Sequence, residues 1–206
     1  MRIEDSPRWI RARLGGETVA DSRRSKLLWE DLPFPVHVFP EEDVRLDLIP
    51  GDAIRRHDGL VEIQWNAMDE WLEEEELQVG HARDPHHRID TRRTSREVRV
   101  EIEGEIVAET NRAVVLFETG LPPRWYIPPE DVRVGLERSD HRTACAYKGH
   151  ATHYDAAGEE AIAWSYEEPL RDALQVKGLV CFYNERVDLE IDGEPWERPR
   201  TQWSRH

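Results

Sequence analysis

Thr143, Cys145, Tyr147 and Lys148 fall within six residues and put a thiol, two hydroxyls and an ammonium together. A cation beside a thiol favours the thiolate, and His150 or His153 is near enough in sequence to act as a base. That pair, Cys145 and Lys148, is the candidate for catalysis. The same ammonium, with the neighbouring hydroxyls, would instead grip a phosphate or carboxylate. In an extended strand Thr143, Cys145 and Tyr147 point to one side, and Lys148-Gly149 forms the turn that follows. The plainer alternative is a small buried cysteine on a sheet whose edge Tyr147 and Lys148 cover.

Other residues extend this set. Arg124 suits an anionic group, and Tyr126 and Tyr147 offer hydrogen bonds. Trp164 and Tyr166, two apart, make an aromatic wall on one strand face. Glu118 is a further candidate contact, although its retention opposite Glu30 in a repeat described next argues for scaffold. The segment holding His81, Asp84, His86, His87 and Asp90 offers nitrogen and oxygen ligands, but its spacing fits no standard metal motif. Arg83 and Arg88 alternate with these acids, so an ion-paired joining loop is the simpler reading, and neither metal nor cofactor is expected.

The elements that must position these residues come from an internal repeat. Residues 11–49 lie over 99–137 without a gap, and fifteen of the 39 pairs are identical. Composition alone would give roughly two or three. Val98, Val100 and Ile102 alternate with charged residues, Glu103-Gly104 turns, and Ile106-Val107-Ala108 returns; Gly15-Gly16 marks the same turn in the first copy. Pro33/Pro35 and Pro122/Pro123 force an extended loop before the shared Pro-x-Glu-Asp-Val-Arg. Asp43 and Asp131, kept in both copies, read as scaffold that caps backbone near this loop. Features without a counterpart, such as Arg124 against Val36, are better site candidates.

Further along, Trp65 matches Trp164 and Gly80 matches Gly178, which makes the second copy longer by about ten residues, with the insertion at Arg142–Tyr154. In the first copy residues 66–77 read as a short acidic helix capped by Asn66, and a helical turn follows Pro169. Residues 187–194 resemble the opening hairpin, so the copies are expected to share or exchange edge strands. Pro195 to His206 read as a loose tail.

Net charge is −15 and the basic residues between Arg83 and Arg99 are interrupted by acids, which argues against nucleic acid and anionic membrane. No apolar run reaches the roughly 18 residues needed to span a bilayer, and Met1–Arg13 carries no apolar leader core. Two cysteines without an export signal point to reduced thiols and a cytoplasmic protein, either monomer or homodimer.

Phe117-Glu-Thr-Gly-Leu-Pro-Pro-Arg124, Tyr126, Pro128-x-Glu130-Asp131-Val132, Thr143-x-Cys145-x-Tyr147-Lys148-Gly149 and Ala163-Trp164-x-Tyr166-x-x-Pro169 together resemble the DUF427 family. His81-x-Arg83-Asp84-Pro85-x-His87-Arg88-x-Asp90 is similar to the junction of its two-domain members. Ala146 departs from a usual proline and Trp125 from a usual tyrosine. The resemblance implies small antiparallel, β-tent-like domains in tandem and no established activity. A nucleotidyltransferase label attached to the family finds no Asp-x-Asp metal pair or phosphate-cradling glycine loop here.

The expected architecture is therefore mainly β: a degenerate first repeat over 1–95 and a second, site-bearing repeat over 96–206. Two functions stand. One is binding of a small molecule, an anionic one included, in a pocket of the second repeat, with Cys145 as the nucleophile if a reaction occurs. The other is an adaptor that docks a partner through its surface, the acidic segment 66–77 for example.

Overall fold

A computed structural model of the chain describes residues 1–204. Its contacts part the chain into two units between Pro85 and His86. Unit 1 contains β1 (Arg2–Asp5), β2 (Ile10–Leu14), β3 (Glu17–Ser22), β4 (Lys26–Trp29), β5 (Val36–Pro40), β6 (Ile54–His57), β7 (Leu60–Ile63), β8 (Glu70–Glu73) and β9 (Glu76–Leu77). These form two sheets, in the orders β1-β4-β5-β7-β6 and β3-β2-β8-β9.

Unit 2 contains β10 (Ile89–Arg93), β11 (Val98–Ile102), β12 (Glu105–Thr110), β13 (Val114–Glu118), β14 (Arg124–Ile127), β15 (Glu137–Cys145), β16 (Gly149–Ala156), β17 (Glu159–Ser165), β18 (Val180–Phe182), β19 (Asp188–Ile191) and β20 (Glu194–Trp196). Its sheets run β10-β13-β14-β18-β17-β16-β15 and β12-β11-β19-β20. The fold is mainly β, with antiparallel ladders joined by short 3-10 turns.

The expected hairpins form where alternation and turn residues require them. Val98, Val100 and Ile102 are buried and their neighbours are not. Glu103 and Gly104 close the β11–β12 turn at φ 51° and 83°, the left-handed pair that this tight turn demands. Gly15 and Gly16 do the same between β2 and β3. Both hairpins carry a register shift at the matching place, Ala12/Arg13 and Val100/Glu101. The correspondence reaches back to the first strand of each unit, where Asp5 faces Lys26 as Arg93 faces Val114.

Asp43 and Asp131 do hold the loop, with other partners than expected. Asp43 accepts from the Ser22 hydroxyl at 2.6 Å and from Arg24 at 2.6 Å. Asp131 accepts from Thr110 at 2.6 Å and Arg112 at 2.8 Å. These carboxylates take a hydroxyl and a guanidinium, and so tie the 3-10 turn after the proline to the end of the hairpin. Burial opposes Asp43's ionisation, but the bonds from Ser22 and Arg24 outweigh it and hold its carboxyl below the usual range. The Thr110 bond, with Arg112, lowers Asp131 in the same way.

Several expectations change. Residues 66–77 are no helix: a 3-10 turn over Trp65–Ala67 leads into β8 and β9. Asn66 caps nothing there. Trp71 decides the outcome. In β8 it pairs opposite Ala12 of β2, stacks on Trp65 at 5.0 Å and fills the core, which outweighs the helical spacing of Met68, Trp71 and Leu72. Trp164 stands where unit 1 has Arg55, since these face Cys181 and Glu62 across equivalent strands. Gly178 likewise matches Gly59 at the turn before the next strand, so the Trp65 and Gly80 matches fail. The additional length of unit 2 is a whole hairpin, β15–β16, plus the 3-10 segment Arg171–Val176. No strand is exchanged among the described residues: β19 pairs with β11, and β8 with β2, each inside its own unit. Ile89–Arg93, placed with the first repeat by a boundary at 95, pair with β13.

Each unit has a core where its two sheets meet, around Phe39, Val61 and Trp71 in one and Trp125, Ile127 and Phe182 in the other. Unit 2 has a second cluster on the opposite, outer face of its seven-stranded sheet. Alternation puts it there: Trp125 and Ile127 face the core, so Arg124 and Tyr126 face outward.

Candidate functional site

One row crosses this outer face in register. Val114 faces Tyr126, Tyr126 faces Cys181, Cys181 faces Trp164, and Trp164 faces His153, each on the adjacent strand. Trp164 donates its indole N–H to the Tyr126 oxygen at 3.2 Å. Burial, and next the nearby Cys181 sulfur, raise the Tyr126 phenol well above its ordinary value. Burial likewise pushes the Cys181 thiol up to about 12, against the pull of Arg124. Neither group is a nucleophile at neutral pH.

Arg124 is committed to a buried carboxylate. Its Nη1 and Nη2 donate to Glu185 Oε2 and Oε1 at 2.6 and 2.7 Å, a bidentate pair whose side chains are 6% and 0% exposed. Thr201 adds a hydroxyl donor to Glu185 Oε1 at 2.6 Å. Burial opposes both charges, yet each lowers the cost of the other: Glu185 stays below the usual carboxyl range and Arg124 above its own. Trp164 and Trp203 lie over the guanidinium at 5.5 and 5.4 Å. The segment after Pro195 is thus docked as far as Ser204, because β20 continues the sheet and Thr201 and Trp203 close over this pair. His206 lies outside the described residues.

Lys148 forms a second pair. It is buried, and its ammonium meets Glu118, which also contacts His87 Nε2 at 2.9 Å. The Tyr147 ring stacks on His87 at 4.2 Å. Tyr147 therefore belongs to the turn Ala146–Lys148 rather than to the strand, which ends at Cys145. Glu30, the sequence match of Glu118, is exposed, so the shared glutamate does not serve one scaffold role in both units. Thr143 bonds His153 Nε2 at 2.9 Å, and His153 Nδ1 is buried without a partner. Burial, and then the charges of His141 and Arg142, lower His153 to about 4.

Of the nine residues singled out by sequence, Arg124, Tyr126, Glu118, Lys148, Trp164 and Tyr166 join this buried face or its ion pairs. Thr143 reaches it through His153, and Tyr147 through His87. Cys145 is half-buried at the strand end, and the ammonium meant to activate it is turned to Glu118. Glu185, Cys181, Tyr183 and Trp203 were missed. No local pattern marks Glu185, whose partner is 61 positions away. Among the described residues no group of three or more His, Cys, Asp or Glu is placed to hold a metal.

A cavity of about 460 Å³ lies elsewhere in unit 2, at the corner lined by Glu97, Arg99, Glu109, Asn111, Glu190 and Gly193. None of the nine candidates lines it.

Paired antiparallel sheets, repeated in two units of which one buries two Arg/Lys–Glu ion pairs on its outer face, define a class of small β protein. The chain belongs to the DUF427 family: the profile described as a domain of unknown function (DUF427) matches residues 2–69 and 90–193. The matched segments open in β1 and β10, the corresponding first strands. No curated protein matches the chain. No helix of the described residues is long and apolar enough to cross a membrane.

Proposed function

We propose that unit 2 binds a small molecule at the outer face of its seven-stranded sheet, and that the chain is a cytoplasmic protein in which one ancestral unit was duplicated. The observation that carries this reading is the burial of two ion pairs, Arg124–Glu185 and Lys148–Glu118, beside Tyr126, Trp164 and Tyr166. Taking such charges out of water costs several kcal/mol per ion, and an apolar filling would serve folding as well. Unit 1 supports the contrast with Val36, Val38 and Arg55 where unit 2 has Arg124, Tyr126 and Trp164. An anionic group on the ligand would compete with Glu118 for Lys148 and His87. Arg124, turned to Glu185 through Nη1 and Nη2, supports the Trp164 ring instead of meeting the ligand. No covalent step is part of this reading. The adaptor alternative keeps an acidic surface in this segment, because Glu74, Glu75, Glu76 and Leu77 are exposed, but they lie on β9 and the turn that joins it to β8 rather than on a helix.

A thermal-shift screen of small carboxylates and phosphates tests it. A ligand at a hundred times its Kd stabilises by about 2.7 kcal/mol, roughly 5–10 °C for a chain of this size. The shift should vanish in Lys148→Ala whatever that variant's own baseline. A flat screen, or an equal shift in Lys148→Ala, would defeat the reading.

A further inference from the structure

The 460 Å³ cavity has a counterpart in unit 1, and there it is filled. The backbone is the same at both corners. Trp9 N donates to the Glu74 side chain at 3.0 Å while Glu74 N donates to Trp9 O at 2.9 Å. Glu97 N donates to the Asp192 side chain at 2.9 Å while Asp192 N donates to Glu97 O at 2.9 Å. Glu74 and Asp192 have φ of 52° and 55° at the same turn position. Arg11 faces Asp21 on the next strand as Arg99 faces Glu109. The side chains on this frame differ: unit 1 has Trp9, Arg23 and Glu75 where unit 2 has Glu97, Asn111 and Gly193.

In unit 1 the Trp9 indole lies over the guanidinium of Arg11 at 3.8 Å, with Arg23 at 4.8 Å, and gives its N–H to Asp21 at 2.7 Å. Arg11 gives its Nη2 to Glu74 O and Glu75, bonds in the guanidinium plane that leave its flat face for the ring. Arg99 also bonds only through its edge, and more fully. Its Nε and Nη2 go to Glu109 at 3.0 Å and its Nη1 to Glu190 at 3.1 Å. Its side chain is 37% exposed, against 12% for Arg11 beneath the indole. Glu109 takes Arg99 on Oε1 and Arg133 on Oε2, and of its four lone-pair sites one is left for a further donor. Glu97, Glu109, Asp131 and Glu190 outnumber Arg99 and Arg112 around the cavity, so a positive charge on the occupant is favoured.

We propose that this corner of unit 2 binds a planar N–H aromatic ring carried on a cation: the ring stacks on Arg99, its N–H meets Glu109, and its charge meets Glu97. The chemistry is that of an indole-ethylamine or of a tryptophan flanked by lysine in a peptide. This site shares no residue with the outer-face site, so each proposal fails or survives alone.

The test is a titration of the full ¹⁵N-labelled chain with tryptamine and, separately, with the tripeptide Lys-Trp-Lys, read from amide shifts. Saturable shifts confined to residues 97–99, 109–112 and 190–193 are expected. Tighter binding of the tripeptide would assign the site to a protein segment, and tighter binding of tryptamine to a free small molecule. Methylating the indole nitrogen should weaken binding about tenfold, the loss of one hydrogen bond to a charged group. Glu97→Trp rebuilds the plug of unit 1 and should raise Kd tenfold or more without unfolding. Trp9→Ala, if folded, should add shifts at residues 11, 21 and 74. Binding that persists in Glu97→Trp, or no localised shift with either probe at millimolar concentration, would overturn the proposal.

Discussion

The outer faces of the two long sheets start from the same frame and end in different chemistry. On unit 1 the positions that face outward from β5 are Val36 and Val38, and the buried charge is Glu62, held by His57 at 2.6 Å. On unit 2 the matching positions of β14 are Arg124 and Tyr126, and an added hairpin brings in Lys148, His153 and Thr143. The hydroxyl–arginine–aspartate ties and the tight hairpin turns are kept on both sides. Retention therefore marks what the fold needs, and divergence marks where folding left the residues free to change.

Removing one member of a buried ion pair is the hardest blow to this contrast. Glu185→Ala leaves the Arg124 guanidinium buried and uncompensated and should cost about 3–5 kcal/mol in urea unfolding. Arg55→Ala, at the unit 1 position matching Trp164, removes an exposed partner of Glu62 at 3.8 Å and should change stability by no more than about 0.5 kcal/mol. Equal effects would show that the two faces are energetically alike. Replacing Arg124 and Glu185 together by Met and Leu should recover much of the loss, since an apolar pair of similar volume leaves no buried charge unpaired, and only the Thr201 hydroxyl loses its acceptor.

Acid should strike both units. His37 sits in the core of unit 1, lowered to about 4 by burial, and His153 sits on the outer face of unit 2, also lowered to about 4. The unfolded chain protonates either histidine below about pH 6.5, and the folded chain refuses the proton until about pH 4. Stability from each is complete above pH 6.5 and drains away between pH 6.5 and 4, by at most about 3 kcal/mol per histidine. His37→Phe and His153→Phe should each flatten part of that fall, and the double variant should flatten most of it. A slope that neither substitution alters would remove both histidines as its cause. Asp43, Asp131 and Glu185, all lowered, lose their contributions only at still lower pH.

The sequence reveals the frame better than the site. Period-two alternation and the Gly15-Gly16 and Glu103-Gly104 turns are local signals, so β2–β3 and β11–β12 are legible. Trp71 misleads because burial against Phe39 and pairing opposite Ala12, both distant in the chain, override helical spacing. Trp65 was aligned with Trp164 because both are tryptophan, whereas sheet register is set by pairing that no single-residue match reveals. Lys148 and Arg124 are legible as unusual residues. Glu118 is legible as a candidate contact but not as the partner of Lys148, 30 positions away, and Glu185 is an ordinary acid 61 positions from Arg124 that only the fold makes special.

Where the units agree, substitutions should agree too. Asp43→Asn and Asp131→Asn each replace a charged acceptor of a hydroxyl and a guanidinium by a neutral one, and each should cost about 1 kcal/mol. Costs that differ several-fold between these two variants would mean that the shared tie is scaffold in one unit and something more in the other.

Thiol labelling reads unit 2 alone, since both cysteines lie there. Cys181 is fully buried in the register row between Tyr126 and Trp164, and its thiol is pushed up to about 12, whereas Cys145 is half-buried at the end of β15. With iodoacetamide at pH 8 the native chain should take up one equivalent at Cys145, and Cys181 should react only as the chain opens. Glu185→Ala should then speed Cys181 labelling in proportion to its raised opening constant, about tenfold for each 1.4 kcal/mol lost, while Arg55→Ala changes the rate by little more than about twofold. If Cys181 reacts as fast as Cys145 in the native protein, the outer face is not closed. The contrast drawn between a sealed face with two buried ion pairs and a counterpart built on Val36, Val38 and the single carboxylate Glu62 would then fail at its centre.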